Sequence, residues 1–370
     1  FPHGGFYAYA AHTIHPLAGF VSTWSYFTGK LASCALAIHV FVLFLQKICP
    51  FLQSYHPFLL DTAIIILFFY LNTYNVKTAG RVQTVLFALK ILPITFIILL
   101  APTLFAVENI TNHCLWNNLP STVPFVFFAL LGFEACCSVS SHIAHAEKNA
   151  ARAVIVSYGF VIILYIAYQL LFYGALGSLF DTIADYRGAF PAFLTLLIPH
   201  SSYTPYIEAV LHCAIASSAL SASYGVLFSN MWNLHTLAQQ GHIPFASLFT
   251  TLNAYHIPIA CLAVEVVLAL AYIIITGGYY ASLQYMSVLG SVIAYTLSSL
   301  GLFVYHTKNP THAHFSLSVG AIISCMLLLS ICVYNIARTN YIPLILLGSL
   351  TVVGLFFFFS TAKKSQKFSA

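Results

Sequence analysis

Charge is what this sequence lacks most. Only 6% of its 370 residues are Asp, Glu, Lys or Arg, and a soluble domain of this size could not cover its surface with so few. With 60% hydrophobic residues and a mean hydropathy of +0.90, the composition excludes a water-soluble globular protein and specifies a polytopic membrane protein. The ten-residue alternating segments of a transmembrane barrel are also missing; apolar residues come instead in blocks of about 20, the length of a helix crossing a ~30 Å hydrocarbon core. There is no His-Glu-x-x-His zinc motif, no Gly-x-Ser-x-Gly elbow and no Walker-type phosphate loop, which argues against an enzyme and against a cofactor or resident metal. Acidic residues are scarcer than basic ones, 8 against 13, and the resulting net charge of +5 is accounted for by membrane topology, without nucleic-acid binding. The start shows no initiator methionine and no signal peptide before Phe1-Pro2-His3-Gly4-Gly5, so the chain reads as beginning inside a loop.

What is present is a set of about ten predicted helical spans, near residues 17–45, 57–74, 82–106, 122–144, 153–176, 206–233, 257–277, 282–305, 315–334 and 341–360. The expected fold class is therefore an all-α polytopic membrane protein forming one membrane domain over 1–370. Polar and turn-forming clusters mark the loops, and the longest, 177–204, is expected to hold a short surface helix. With a cytoplasmic N-terminus, Lys77, Arg81, Lys148, Arg152, Lys308, Lys363, Lys364 and Lys367 all fall inside, and only Lys47, Arg187 and Arg338 fall outside. An even span count then returns the C-terminus to the cytoplasm, and the expected location is the plasma (inner) membrane. Seven of the nine cysteines lie within spans as small apolar residues. Only Cys49 and Cys114 sit near the outer face, where a bridge between them is one reading. Asn109-Ile110-Thr111 is a formal glycosylation sequon on that face.

The most informative segment is a broken hydrophobic one, Pro124-Phe125-Val126-Phe127-Phe128-Ala129-Leu130-Leu131-Gly132-Phe133-Glu134-Ala135, running towards Glu147-Lys148-Asn149-Ala150-Ala151-Arg152. An ionised group at such depth costs roughly 2.5–3.5 kcal/mol unless it faces a cavity or a partner, so a pathway through the membrane is the default inference. Lys90, Lys30 and Glu265 are further intramembrane charges. Lys30 is expected either to pair with Glu265 or to snorkel.

Several segments, in order, carry a family resemblance. Gly4-Gly5-Phe6-Tyr7-Ala8-Tyr9 with Pro16-Leu17-Ala18-Gly19-Phe20 and Trp24-Ser25-Tyr26 resembles the loop and third-helix start of permeases in the amino acid, polyamine and organocation (APC) superfamily. Asn75-Val76-Lys77 with Lys90-Ile91-Leu92 resembles the fourth-to-fifth helix region, and Phe127–Glu134 with Glu147–Arg152 resembles the sixth helix and its exit loop. Gln240-Gly241-His242-Ile243-Pro244 with Asn253-Ala254-Tyr255-His256-Ile257-Pro258 resembles the loop between helices eight and nine. The likeness covers the chain as helices three to twelve. It departs from the family in lacking the first two helices, in Ala150 where proline is usual, and in Asn230 where arginine is usual.

The resemblance implies a partial inverted-repeat (5+5) transporter fold, with residues 1–106 as the rest of the first repeat, 122–305 as the second and 315–360 as two peripheral helices. It implies secondary transport of an amino acid or related organic amine by alternating access, driven by protons or by exchange. The alternative is a non-transporting remnant, or an assembly or sensing subunit. It further implies that Phe128, Ala129, Gly132, Phe133 and Glu134 line the substrate site, with Gly132 as the helix break, Phe128 as an aromatic lid and Glu134 as a gate or coupling carboxylate. The bland readings are apolar packing for Phe128 and an interhelical hydrogen bond for Glu134. Lys90 occupies the position of a coupling lysine, against a structural ammonium. Ser217, Ser218 and Ser221 would add hydroxyls, against close helix packing. The expected partners are an amino acid or polyamine, protons or an exchanged solute, lipid, and the missing N-terminal helices or a partner subunit that completes the site. A single pathway glutamate suggests tolerance of a cationic substrate, unless it titrates as a proton carrier. His142, His145 and Glu147 form a His-x-x-His-x-Glu cluster at the water interface, where metal binding is the minor reading.

Overall fold

The computed structural model describes residues 5–74, 76–111, 119–138, 143, 145–183, 186–199, 201–308 and 315–368; for 76–79, 111, 146–147, 186 and 362–368 it describes the backbone alone. Every regular element among the described residues is a helix. A short helix α1 (Gly5–Ala11) precedes α2 (Pro16–Ile48), α3 (Pro57–Asn72) and α4 (Val76–Leu100). The next span is divided into α5 (Leu119–Leu130) and α6 (Ala135–Ser138), and is followed by α7 (Ala146–Leu176). The rest comprises α8 (Ala189–Leu197), α9 (Thr204–Gln239), α10 (Ile259–Thr276), α11 (Tyr280–Lys308), α12 (Phe315–Thr339) and α13 (Ile342–Phe368).

Nine of the ten expected spans each overlap one of these helices, and the tenth, 122–144, falls on two, α5 and α6. Among the described residues, eight helices are long and apolar enough to cross a bilayer, and the two shorter apolar ones are α3 and α5. The protein is an all-α polytopic membrane protein. Long exposed rows such as Ile155, Phe160 and Ile163 on α7 and Leu317, Ile323 and Leu327 on α12 are what lipid-facing surfaces require.

Helix starts follow local chemistry. Proline stands in the first turn of α2 and α3, where its missing N–H costs nothing. The imidazoles of His15 and His56 accept the backbone N–H groups of Leu17 and Phe58, at 3.2 and 3.3 Å. The 177–204 loop winds through short 3₁₀ turns into α8, whose Phe193 and Leu194 are fully buried against Ile97, Phe172 and Leu211; it is a packed element and not a surface one.

The core is organised around α2, which packs along its length against α9 and α11 and also touches α1, α10 and α13. Lipid supplies no hydrophobic drive between helices, so close approach depends on small residues. Gly29 on α2 and Gly290 on α11 supply it: a Cβ placed on Gly29 would lie 2.7 Å from the Gly290 Cα. The aromatic residues Phe20, Trp24 and Phe27 then fill the space towards α13, where the Trp24 indole donates to the Leu350 carbonyl at 2.8 Å. Between α9 and α10, Asn253 gives the connecting loop its shape. Its Oδ1 accepts the N–H groups of Tyr255 and Ile257, each at 2.9 Å, while its Nδ2 donates to the Thr73 carbonyl after α3 at 2.8 Å.

Candidate functional site at the helix break

Between α5 and α6 the chain leaves helical geometry over residues 131–134. The span expected at 122–144 is thus two helical pieces, and of its tail residues 139–142 and 144 lie outside the described residues. Gly132 makes the break possible. Its φ of +122° is a conformation that glycine adopts freely and other residues resist. A Cβ built there would meet nothing within 4 Å, so this glycine faces open space.

Glu134 closes the turn. Its Oε2 accepts the Gly132 N–H at 2.8 Å, satisfying a backbone donor that the interrupted helix leaves free. Its Oε1 accepts two further donors from α2: the Lys30 ammonium at 2.8 Å and the Tyr26 hydroxyl at 2.9 Å. All three residues are at most 4% exposed. Tyr26 and Lys30 are four residues apart, which places them on one face of α2, and the Lys30 Nζ lies 5.7 Å from the Tyr26 ring centre. Lys30 therefore neither pairs with Glu265 nor snorkels.

Aromatic rings enclose this cluster. Phe6 from α1 lies 4.5 Å from Tyr26 and 5.9 Å from Tyr295 of α11, and Phe133 lies 6.0 Å from Tyr295. Below the break, Asn233 of α9 donates to the Ser138 hydroxyl and to Asn230 Oδ1, each at 3.0 Å. Asn230 in turn donates to the Phe27 carbonyl at 3.0 Å, so the position expected to carry arginine instead extends a neutral hydrogen-bond chain to α2.

Of the residues expected to line a substrate site, Gly132, Phe133 and Glu134 form the break itself. Phe128 and Ala129 lie on the last turn of α5, both half-buried, and Phe128 packs against the main core. The expected coupling residues do not converge on Glu134. Lys90 lines a cavity of about 430 Å³ with Ser218, Phe44, Pro93, Tyr168 and Phe190, and its ammonium has no ion-pair or hydrogen-bond partner among the described residues. Ser221 accepts a hydrogen bond from Gln83 of α4 at 3.0 Å, and Ser217 donates back to the Cys213 carbonyl of its own helix at 2.8 Å. Only Ser218 shares the Lys90 cavity.

Glu265 is fully buried on α10 beside the Asn230 side chain, and among the described residues neither carboxyl oxygen meets hydrogen-bond geometry. His145 is exposed, while His142 and the side chain of Glu147 lie outside the described residues, as do Cys114, Asn75 and the side chain of Lys77. Three residues at the site went unassigned in the sequence: Tyr26, Lys30 and Tyr295. For the first two a signal exists, since a tyrosine and a lysine four apart on one apolar helix define a polar face that must find a partner.

Comparison with known proteins agrees with this architecture. The chain is 24% identical to Asc-type amino acid transporter 1 of Mus musculus over 332 residues, covering 83% of this chain and 59% of the relative. For the human Asc-type amino acid transporter 1 the identity is 25% over 335 residues, with 83% and 60% covered. The L-lysine transport protein of Corynebacterium glutamicum is 28% identical over 191 residues, 47% of this chain and 38% of that one. The chain thus spans about six-tenths of the length of the Asc-type relatives. A family model described as amino acid permease matches residues 2–362, nearly the whole chain. A broken apolar helix clamped to its neighbour by a buried carboxylate, within an all-α membrane fold that this family model covers almost end to end, makes the chain a member of the amino acid permease family.

Proposed function

We propose that the protein carries an amino acid or related organic amine across the membrane by alternating access, with the 131–134 break forming part of the substrate site. The observation that carries this reading is the break: an open-faced Gly132 whose N–H is held by Glu134, itself tied to α2 by Lys30 and Tyr26. Free backbone groups and half-helix ends at such breaks are suited to a zwitterion's amino and carboxylate groups. In this reading Glu134 is the gate. When it holds Lys30 and Tyr26 the half-helix is drawn onto α2, and the half-helix rocks away only when water entering the opened break solvates the released groups. Phe128 and Ala129, one turn before Gly132, contribute an apolar wall, with Phe128 as the aromatic lid.

Driving force in this proposal comes from a proton gradient or from exchange. Lys90 is the candidate coupling residue, because a lysine beside an apolar cavity, with no ion-pair partner among the described residues, is placed to release and rebind a proton. Residues 1–106 belong to one repeat, 122–305 to the second, and 315–360 are peripheral. The location is the plasma membrane, with both termini cytoplasmic. The names of the relatives, an amino acid transporter and an L-lysine transport protein, support an amino acid as cargo. Since the chain covers about six-tenths of the Asc-type relatives, the transport cycle is assigned to the full-length protein.

Reconstitution of the full-length protein in liposomes, with uptake of a panel of labelled amino acids under imposed proton or counter-solute gradients, tests the proposal. Saturable uptake that Glu134→Ala abolishes supports it. Absence of binding and uptake for every amino acid and polyamine would overturn it in favour of a non-transporting subunit.

A further inference from the structure

The sequence alone offers Glu134 as a counter-charge for a cationic substrate, and the structure places a different cation there. Both Glu134 oxygens are occupied: Oε1 by the Lys30 ammonium and the Tyr26 hydroxyl, Oε2 by the Gly132 N–H. A carboxylate offers about four lone-pair sites, and three are taken. The Lys30 and Glu134 charges cancel at 2.8 Å, so an approaching cation meets a neutral pair and not an anion. To gain the carboxylate it would have to expel Lys30, which is 4% exposed and has no other acceptor among the described residues. An expelled, unpaired ammonium in the membrane interior is expensive.

Resting on the transporter reading above, we infer that Lys30 is a specificity-determining residue: it fills the place at Glu134 that a substrate's cationic side chain would take, restricting the site to amino acids with uncharged side chains. Lysine, ornithine and arginine are excluded by a resident lysine. The geometry also states what would lift the restriction. Replacing Lys30 by a neutral residue of similar reach leaves the Glu134 carboxylate with Tyr26 and Gly132 as donors and an unbalanced negative charge facing the break, which a substrate ammonium can neutralise.

The test uses the full-length protein in proteoliposomes, comparing uptake of labelled alanine, leucine, lysine and arginine, with each unlabelled amino acid also tried as a competitor. The wild type is expected to take up alanine or leucine at least tenfold faster than lysine or arginine. In Lys30→Gln the lysine-to-alanine uptake ratio should rise at least tenfold, whereas Lys30→Arg, which keeps the charge, should leave it within about twofold of wild type. Lysine uptake by the wild type equal to alanine uptake would overturn the inference while leaving transport itself intact. So would a Lys30→Gln protein that still carries alanine with an unchanged ratio. If Lys30→Gln does not fold, the wild-type panel and its competition by lysine decide the matter alone. Uptake of none of the four would bring down the transporter reading, and the inference with it.

Discussion

Lys30 and Glu134, 104 positions apart in the chain, meet at 2.8 Å in a setting almost fully closed to the outside. The contact joins α2, at the centre of the core, to the span that breaks at residues 131–134. In the proposed cycle its strength and its ability to open therefore both set how Glu134 would act as a gate.

Removing one partner of a buried ion pair strands the other charge, at a cost of about 3–5 kcal/mol, whereas removing both together costs much less. Glu134→Gln and Lys30→Met are each expected to lower the thermal unfolding midpoint in detergent markedly, and the double variant to recover most of the loss. Additive losses in such a double-mutant cycle would mean that the two groups do not depend on one another.

Gly132→Ala is expected to destabilise by about 1–3 kcal/mol, because a φ of +122° suits only glycine. Space is not the cause, since the added methyl meets nothing within 4 Å. Gly80 gives the control: it too lies in open space, but inside α4, where Gly→Ala should be neutral or stabilising by up to about 1 kcal/mol. Equal melting shifts for the two substitutions would contradict the backbone argument.

A third expectation concerns acid. His242, in the loop after α9, makes a 2.7 Å hydrogen bond with the Tyr7 hydroxyl of α1 and lies among the rings of Phe20 and Phe358. Burial lowers the His242 pKa from its ordinary 6.5. A histidine pKa depressed on folding favours the neutral ring, so its stabilising contribution is complete above about 6.5 and is lost as pH falls through the lowered folded value. Each unit of difference is worth about 1.4 kcal/mol. The melting midpoint should therefore drop between pH 7.5 and 5.0, and His242→Gln should flatten that drop. An undiminished pH dependence in the variant would move the effect elsewhere.

Lys90→Met is expected to leave the melting midpoint nearly unchanged, because the ammonium has no partner to lose among the described residues. It should remove accumulation driven by a pH gradient while sparing exchange in preloaded liposomes. Unimpaired gradient-driven accumulation would make Lys90 a structural residue only.

Much of this molecule was legible in its sequence. Spans follow from apolar run length, and each of the ten expected positions holds a helix. The break was readable because Gly132 and Glu134 stand together within an apolar run. What remained hidden was pairing. Lys30 had two carboxylates to choose between, Glu134 and Glu265, and one-dimensional spacing carries no information on which distant helix a side chain meets. The serines show the same limit. Ser217, Ser218 and Ser221 are close in sequence, but Ser218 is turned about 100° from Ser217 and faces a cavity, while Ser217 and Ser221, on one face but a turn apart, meet different neighbours: Ser217 bonds back to its own helix and Ser221 meets Gln83.

The Gly29–Gly290 contact also bears on which parts of the molecule can shift. Where two helices touch through side chains, rotamer changes can absorb a small slip; where backbone meets backbone there is no soft layer. Displacement of α2 along α11 would drive main-chain atoms into one another, so the two helices must travel together as one rigid body. Spin labels placed on them, on either side of this crossing, should hold a constant separation through the proposed transport cycle, while a label on α5 should change its distance to both.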